Sequence, residues 1–110
     1  MKQYLILLYG GLHIENMNDE QKQAHFVKWG MYLAYFSQND QLISGSPLSK
    51  SGKIMTQNGM FNLQDQNHLE GFMLLEASSY EAIEKLLEQC PSLDYKSNKI
   101  EIRELNPGLH

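Results

Sequence analysis

The stretch GFMLLEASSYEAIEKLLEQCP, from Gly71 to Pro91, joins a strand pattern directly to a helix pattern. The apolar run from Gly71 to Ala77 predicts a core strand. Ser78 and Glu81 have the spacing of a capping box, which predicts that a helix opens there. Pro91 is expected to stop this helix, because proline lacks the backbone N–H that a helix uses. The buried face of the helix is predicted to consist of Ile83, Leu86, Leu87 and Cys90.

A similar strand and helix are predicted near the N-terminus. Lys2 to Tyr9, KQYLILLY, is a continuous apolar run before Gly10-Gly11, typical of a strand that is covered on both faces. Asn18 and Gln21 form another capping-box pattern, so a helix is expected from Asp19 to Ser37. Its apolar stripe is predicted to consist of Phe26, Trp29, Leu33 and Phe36.

The segment between these two units predicts one more strand and a separate hairpin. Gln41 to Ser46 forms the strand, which Pro47 ends because it cannot donate to a sheet ladder. Lys53 to Gln57 and Met60 to Gln64 flank Asn58-Gly59, the dipeptide best suited to the positive φ angles of a type I′ turn. We therefore expect a protruding hairpin here.

The last strand is predicted from Lys99 to Leu105, KIEIREL, where apolar and charged residues alternate. The element order indicates the α+β class and a single domain over residues 1–110: a ferredoxin-like βαββαβ fold with an extra hairpin insertion. Two helices cover only one face of a four-stranded sheet. The opposite face therefore needs water or a partner.

The composition favours a cytoplasmic globular protein that binds neither nucleic acid nor membranes. Apolar residues make up 42% of the 110 residues and charged residues 20%, which is ordinary for a globular domain. A net charge of −4, without clustered Lys and Arg, argues against nucleic-acid and anionic-membrane partners. Cys90 is the single cysteine, which excludes an internal disulfide and fits a reducing compartment. Neither metal-ligand spacing nor a glycine-rich phosphate loop is found in the sequence, so no cofactor or metal is expected.

Motifs along nearly the whole chain resemble the YCII-related family, including its DGPF-domain subgroup. In the N-terminal half these are K-x-Y-L-I-L-L-Y-G from Lys2, W-x-x-Y-L from Trp29, and Gly45 to Leu48. In the C-terminal half they are G-F-M-L-L-E-A from Gly71, Glu81-Ala82, Cys90-Pro91 and I-E-I-R-E-L from Ile100. The resemblance implies a dimeric α/β barrel, in which the sheets of a homodimer pack face to face with the helices outside. It also implies kinship with cofactor-free isomerases and monooxygenases.

The resemblance implies an active site centred on His25, which matches a histidine in the first helix of the family. Such a histidine suits general acid–base chemistry, because its reference pKa of about 6.5 lies near neutral pH. Its alternative role is a structural hydrogen bond to a backbone carbonyl at a helix–sheet junction. The aspartate expected as its partner is replaced by Cys90, and the D-G-P-F signature by Asn58-Gly59-Met60-Phe61.

Two functions are compatible with these residues. In the first, the protein is a cofactor-independent small-molecule enzyme or ligand binder with a cavity between sheet and helices. His25 transfers a proton there, and Trp29, Tyr32 and Ser44 form the wall. His13 and His68 lie on predicted loops and are further candidates for the pocket mouth. In the second, the chain is a non-catalytic dimeric binding or regulatory module that has lost the family acid.

Overall fold

A computed structural model of the protein describes residues 1–11, 16–38, 41–64 and 68–106. The secondary structure within these ranges is, in chain order, β1 (Lys2–Tyr9), α1 (Asp19–Gln38), β2 (Leu42–Pro47), β3 (Lys53–Thr56), β4 (Gly59–Asn62), β5 (Leu69–Ala77), α2 (Tyr80–Leu87), a 3₁₀ helix (Pro91–Asp94) and β6 (Lys99–Glu104). Neither α-helix in this described part is long and apolar enough to cross a membrane.

The main sheet is antiparallel and has the strand order β2-β5-β1-β6. β1 is a central strand and pairs along its length with β5, while β6 pairs with it on the other side. α1 connects β1 to β2, and α2 connects β5 to β6, as in a ferredoxin-like fold. The predicted α+β class is therefore confirmed. β3 and β4 form a separate two-stranded sheet, which is the predicted hairpin insertion.

The two faces of the main sheet have different surroundings. On the helix side, alternate residues of the two central strands are buried: Tyr4, Ile6, Leu8, Met73, Leu75 and Ala77. The residues between them point to the opposite side, which we call the open face. Its centre is apolar, since Leu5 lies opposite Leu74 and Leu7 lies opposite Phe72. These four side chains are only half-buried, because α1 and α2 pack on the other face.

The two helices are capped differently from each other. At α1 the predicted capping box is confirmed: the Gln21 N–H donates to Asn18 Oδ1 at 2.8 Å, and the Asn18 N–H donates to Gln21 Oε1 at 3.0 Å. At α2 the prediction of Ser78 was wrong by one residue. Ser79 is the N-cap, and its Oγ accepts a hydrogen bond of 3.2 Å from the Ala82 N–H. Ser79 holds the extended backbone that an N-cap requires.

The buried side of α1 also differs from the prediction at its first position. Phe26 is exposed, whereas Tyr32 and Phe36 are buried in the core with Trp29 packed against them. The helix buries Tyr32 because its hydroxyl donates a 2.7 Å hydrogen bond to the Leu86 carbonyl. A tyrosine whose O–H has a partner can be buried like a phenylalanine.

Cys90 is buried as expected, but not on a helix. α2 ends at Leu87, and Cys90 immediately precedes the 3₁₀ helix. Pro91 therefore begins the next element instead of stopping α2. Its missing N–H costs nothing at a helix start, where that N–H has no partner within the helix.

We expect Gly10→Ala to lower the free energy of unfolding by about 1–3 kcal/mol. Gly10 has a φ of +139°, and a Cβ there would overlap the buried Asn98 side chain. Urea unfolding followed by circular dichroism, at a fixed protein concentration, measures the effect. The matched control is Gly30→Ala in α1, where a Cβ meets no atom within 4 Å; it should stabilise the protein by about 0.5–1 kcal/mol. Equal stability of Gly10→Ala and the wild type would contradict this account.

Candidate functional site

A surface groove of about 450 Å³ lies between the N-terminal half of α1 and the 3₁₀ helix. Its polar and aromatic lining comes from both sides: Asn16, Gln21, His25, Lys28, Asp94 and Tyr95. Met17 and Ala24 add apolar surface. The 3₁₀ helix therefore forms one wall of the groove and contributes Asp94, which ends that helix.

His25 is held in one tautomer by Trp29, one helical turn further along α1. The Trp29 Nε1–H donates a hydrogen bond of 3.2 Å to His25 Nε2. Because an indole N–H only donates, Nε2 must act as the acceptor. The proton of the neutral imidazole is therefore on Nδ1. Nδ1 is thus the donor atom of the ring, while the Nε2 lone pair that a general base would use accepts from Trp29.

The pKa of His25 is lowered from its ordinary value, chiefly because burial disfavours the imidazolium. Two neighbouring charges act in opposite directions. Asp94 raises this pKa, and the Lys28 ammonium lowers it. Burial dominates, so His25 is mainly neutral at pH 7 and the hydrogen bond from Trp29 is maintained.

An ion pair between Lys28 and Asp94 joins α1 to the 3₁₀ helix across the groove. Both side chains are about half exposed. Exposed ion pairs contribute only about 0–1 kcal/mol, so a ligand with its own charge can displace one partner at little cost. Tyr95 completes this wall, with its ring edge-on to His25 at a centroid distance of 5.9 Å.

Tyr32 and Cys90 lie beneath the groove, in the core. Tyr32 packs edge-on between Trp29 and Phe36, at ring-centroid distances of 5.8 and 4.6 Å. Burial raises the pKa of the Cys90 thiol to about 11. A thiol with this pKa is almost entirely protonated at pH 7 and is a poor nucleophile. These residues support the helix that carries His25 and Trp29.

The remaining sequence-predicted site residues lie elsewhere. Ser44 pairs with Leu74 and therefore lies on the open face, across the sheet from His25, Trp29 and Tyr32. His68 is exposed and immediately precedes β5. Its backbone has a positive φ of 56°, and its carbonyl accepts a 2.7 Å hydrogen bond from the Gly10 N–H. His13 falls outside the described residues. The structure thus brings His25 and Trp29 together, without Ser44.

Two charged residues of the groove, Lys28 and Asp94, were missed by sequence reasoning. Lys28 is three residues after His25, so the helical repeat alone places both on one side of α1. Asp94 had no such signal, because the 3₁₀ helix that carries it was not predicted. Among the described residues, no group of three or more His, Cys, Asp or Glu side chains is arranged to hold a metal ion.

No protein-family model and no curated protein matches this chain. Among solved structures, it is similar to the 5-chloro-2-hydroxyhydroquinone dehydrochlorinase TftG from Burkholderia phenoliruptrix AC1100, in complex with 2,5-dihydroxybenzoquinone. The TM-score is 0.50 at 16% identity, over 90% of each chain. A nitrogen regulatory PII-like protein, CPII from Thiomonas intermedia K12, bound to ADP, AMP and bicarbonate, gives a TM-score of 0.37 at 17% identity, over 94% of this chain and 85% of that one. That score is too low to support an argument. The similarity to the dehydrochlorinase shows a shared fold.

Proposed function

We propose that the protein binds a small molecule in the groove at His25. The observation that carries this proposal is the 3.2 Å hydrogen bond from Trp29, which holds the imidazole neutral and oriented. An oriented polar group beside an aromatic wall is typical of small-molecule sites, and about 450 Å³ is within their usual range of roughly 300–1,000 Å³.

The lining of the groove favours a planar ligand with oxygen acceptors. His25 Nδ1–H, the Lys28 ammonium and the amide groups of Asn16 and Gln21 are hydrogen-bond donors. Among the described residues that line the groove, Asp94 is the carboxylate, and it is already paired with Lys28. Tyr95 provides an aromatic surface. A hydroxylated aromatic ring or a quinone, with acidic oxygens that compete for Lys28, fits this chemistry.

Proton transfer is the second candidate function. It is favoured by the position of Asp94 close to His25. This residue supplies a negative charge near His25, four positions after the cysteine that replaces the expected aspartate. The charge would stabilise an imidazolium that forms during a reaction. To accept a proton at Nε2, His25 requires a ligand group to replace the Trp29 indole there, whereas binding requires no such change. Binding is therefore the primary proposal.

We expect hydroxylated aromatic acids and quinones to shift the amide NMR signals of Lys28 and Tyr95 in the wild-type protein. The panel includes 2,5-dihydroxybenzoquinone, because it is the ligand in the dehydrochlorinase complex. His25→Ala should weaken binding of any such compound at least tenfold, about the effect of losing one well-made hydrogen bond and its packing. His68→Ala removes an exposed histidine outside the groove and should leave affinity unchanged. Equal affinity of the wild type and His25→Ala would refute the proposal.

We expect an NMR titration of His25 to give a midpoint below the ordinary value of 6.5. Trp29→Phe keeps an aromatic ring but removes the donor to Nε2, so the midpoint should rise. The pKa of His25 is lower in the folded protein than in the unfolded chain. The stability that this difference contributes to the fold is fully present above the unfolded-state pKa, and it is lost as the pH falls through the folded-state pKa. Asp94→Asn should lower the midpoint further, since Asp94 raises it. A midpoint at or above 6.5 in the wild type would contradict this assignment.

We further propose that two copies of the chain associate as a homodimer through the open face. Leu5, Leu7, Phe72 and Leu74 form an apolar centre that is too large to remain in water at no cost. Along β6 the same face carries both charge signs, including an ion pair between Arg103 Nε and Glu101 Oε2 at 2.7 Å. A surface with both signs around an apolar centre can complement a second copy of itself about a two-fold axis. Face-to-face packing of the sheets would give a dimeric α/β barrel.

Sedimentation velocity should show a dimer for the wild type and a monomer for Leu7→Glu at micromolar concentration. The substitution would bury a carboxylate at the centre of the interface without a partner. Leu93→Glu is the matched control, because Leu93 is an exposed leucine on the 3₁₀ helix and not on the open face. A dimer that tolerates Leu7→Glu as well as Leu93→Glu would exclude this interface.

A further inference from the structure

The ion pair between Lys28 and Asp94 carries the charges of the groove at His25. Lys28 follows His25 by three positions on α1, and Asp94 reaches it from the end of the 3₁₀ helix. Within the described part of the chain, these two residues and Tyr95 are the titratable groups that line the groove together with His25. The charge around the imidazole therefore depends on how Lys28 and Asp94 are paired.

The two members of this ion pair act on the imidazolium in opposite directions. The Asp94 carboxylate raises the pKa of His25, and the Lys28 ammonium lowers it. Both side chains are about half exposed, so either one can exchange its partner without a change in the fold. A monoanion that binds Lys28 in place of Asp94 adds one negative charge to the groove and leaves Asp94 unpaired. Both changes favour the imidazolium.

We propose that an anionic ligand displaces Asp94 from Lys28, and that its binding is coupled to the uptake of a proton by His25. This inference rests on the proposed function, because the ligand is the small molecule of the groove. The proton comes from the solvent and adds to Nε2, since Nδ1 carries the proton of the neutral ring. A neutral ligand of the same shape has no charge with which to replace Asp94, so it binds without proton uptake.

Proton uptake opens the hydrogen bond between Trp29 and His25. In the free protein, the Trp29 Nε1–H donates to His25 Nε2 at 3.2 Å. An imidazolium has an N–H on both ring nitrogens and no acceptor, so the indole N–H must leave Nε2. The new Nε2–H can then donate to an oxygen of the bound anion. The anion is held by two cations, Lys28 and His25, where the free protein offers one.

The coupling makes the affinity for an anion depend on pH with a definite sign. Because the anion raises the pKa of His25, the bound state holds more protons than the free state between the two pKa values. The affinity therefore increases as the pH falls from above the bound-state pKa to below the free-state pKa. We expect a gain of about tenfold, which is ordinary for coupled binding. Burial of the imidazole by the ligand acts in the opposite direction, and a neutral ligand measures that effect alone.

Isothermal titration calorimetry in two buffers with different enthalpies of ionisation measures the proton uptake. The probe is 2,5-dihydroxybenzoate, and its uncharged methyl ester is the matched control ligand. At a pH midway between the free and bound midpoints of His25, a tenfold coupling gives about half a proton taken up per acid bound. The ester should bind with no uptake.

Binding of the acid without proton uptake would overturn the coupling and leave the proposed function intact. Failure of the acid to bind would also overturn the coupling. The proposed function fails with it only if the other hydroxylated aromatic acids and the quinones do not bind either.

The variant Lys28→Gln tests the exchange of partners independently. It removes the cation and unpairs Asp94, so the NMR midpoint of His25 in the free protein should rise. The acid should bind this variant about tenfold more weakly, because a charge-assisted contact is lost, whereas the ester should be affected less. Lys85→Gln, an exposed lysine in the last turn of α2, makes the same charge change and should alter neither quantity. A wild-type midpoint in Lys28→Gln would overturn the proposal.

Discussion

The central strand β1 is apolar on both faces, but the helices of one chain cover only one of them. Tyr4, Ile6 and Leu8 are buried under the helices, and Leu5 and Leu7 are left on the open face. Because β1 pairs with β5 and β6, its alternation fixes which side of those strands is buried. The position of α1, and with it the groove at His25, follows from this arrangement, and α1 and α2 leave the open face without cover.

Much of the fold was predictable because local patterns agree with it. Asn58-Gly59 indicated the hairpin, and Asn18 with Gln21 indicated the start of α1, since both signals depend only on neighbouring residues. The predictions failed where the position of a side chain depends on a residue that is distant in sequence. Phe26 is exposed and Tyr32 is buried, and the Tyr32 hydroxyl donates to the Leu86 carbonyl, which is 54 residues away in sequence. At α2 the cap is Ser79 and not Ser78, since the Ser79 side chain accepts from the Ala82 N–H.

The candidate site was predictable only in part, for a related reason. The residues of α1 share a helical repeat, so the contact between His25 and Trp29 followed from the sequence, although Trp29 does not line the groove. The sequence placed Ser44 beside His25, but its side of the sheet depends on an irregularity in the pairing of β2 with β5 between Leu42 and Ser44. A shift of one residue transfers a side chain to the other side of a sheet. Asp94 depended on a short 3₁₀ helix, for which Pro91 was the only local sign.

The hydrogen bond between Trp29 and His25 also gives the protein an optical reporter. Trp29 is its single tryptophan, so the whole indole fluorescence arises beside the imidazole. The emission of an indole depends on the partner of its N–H and on charges near the ring. A change in the protonation of His25, or a molecule that separates the two rings, alters this emission. Events in the groove can therefore be followed in the unmodified chain, without any label.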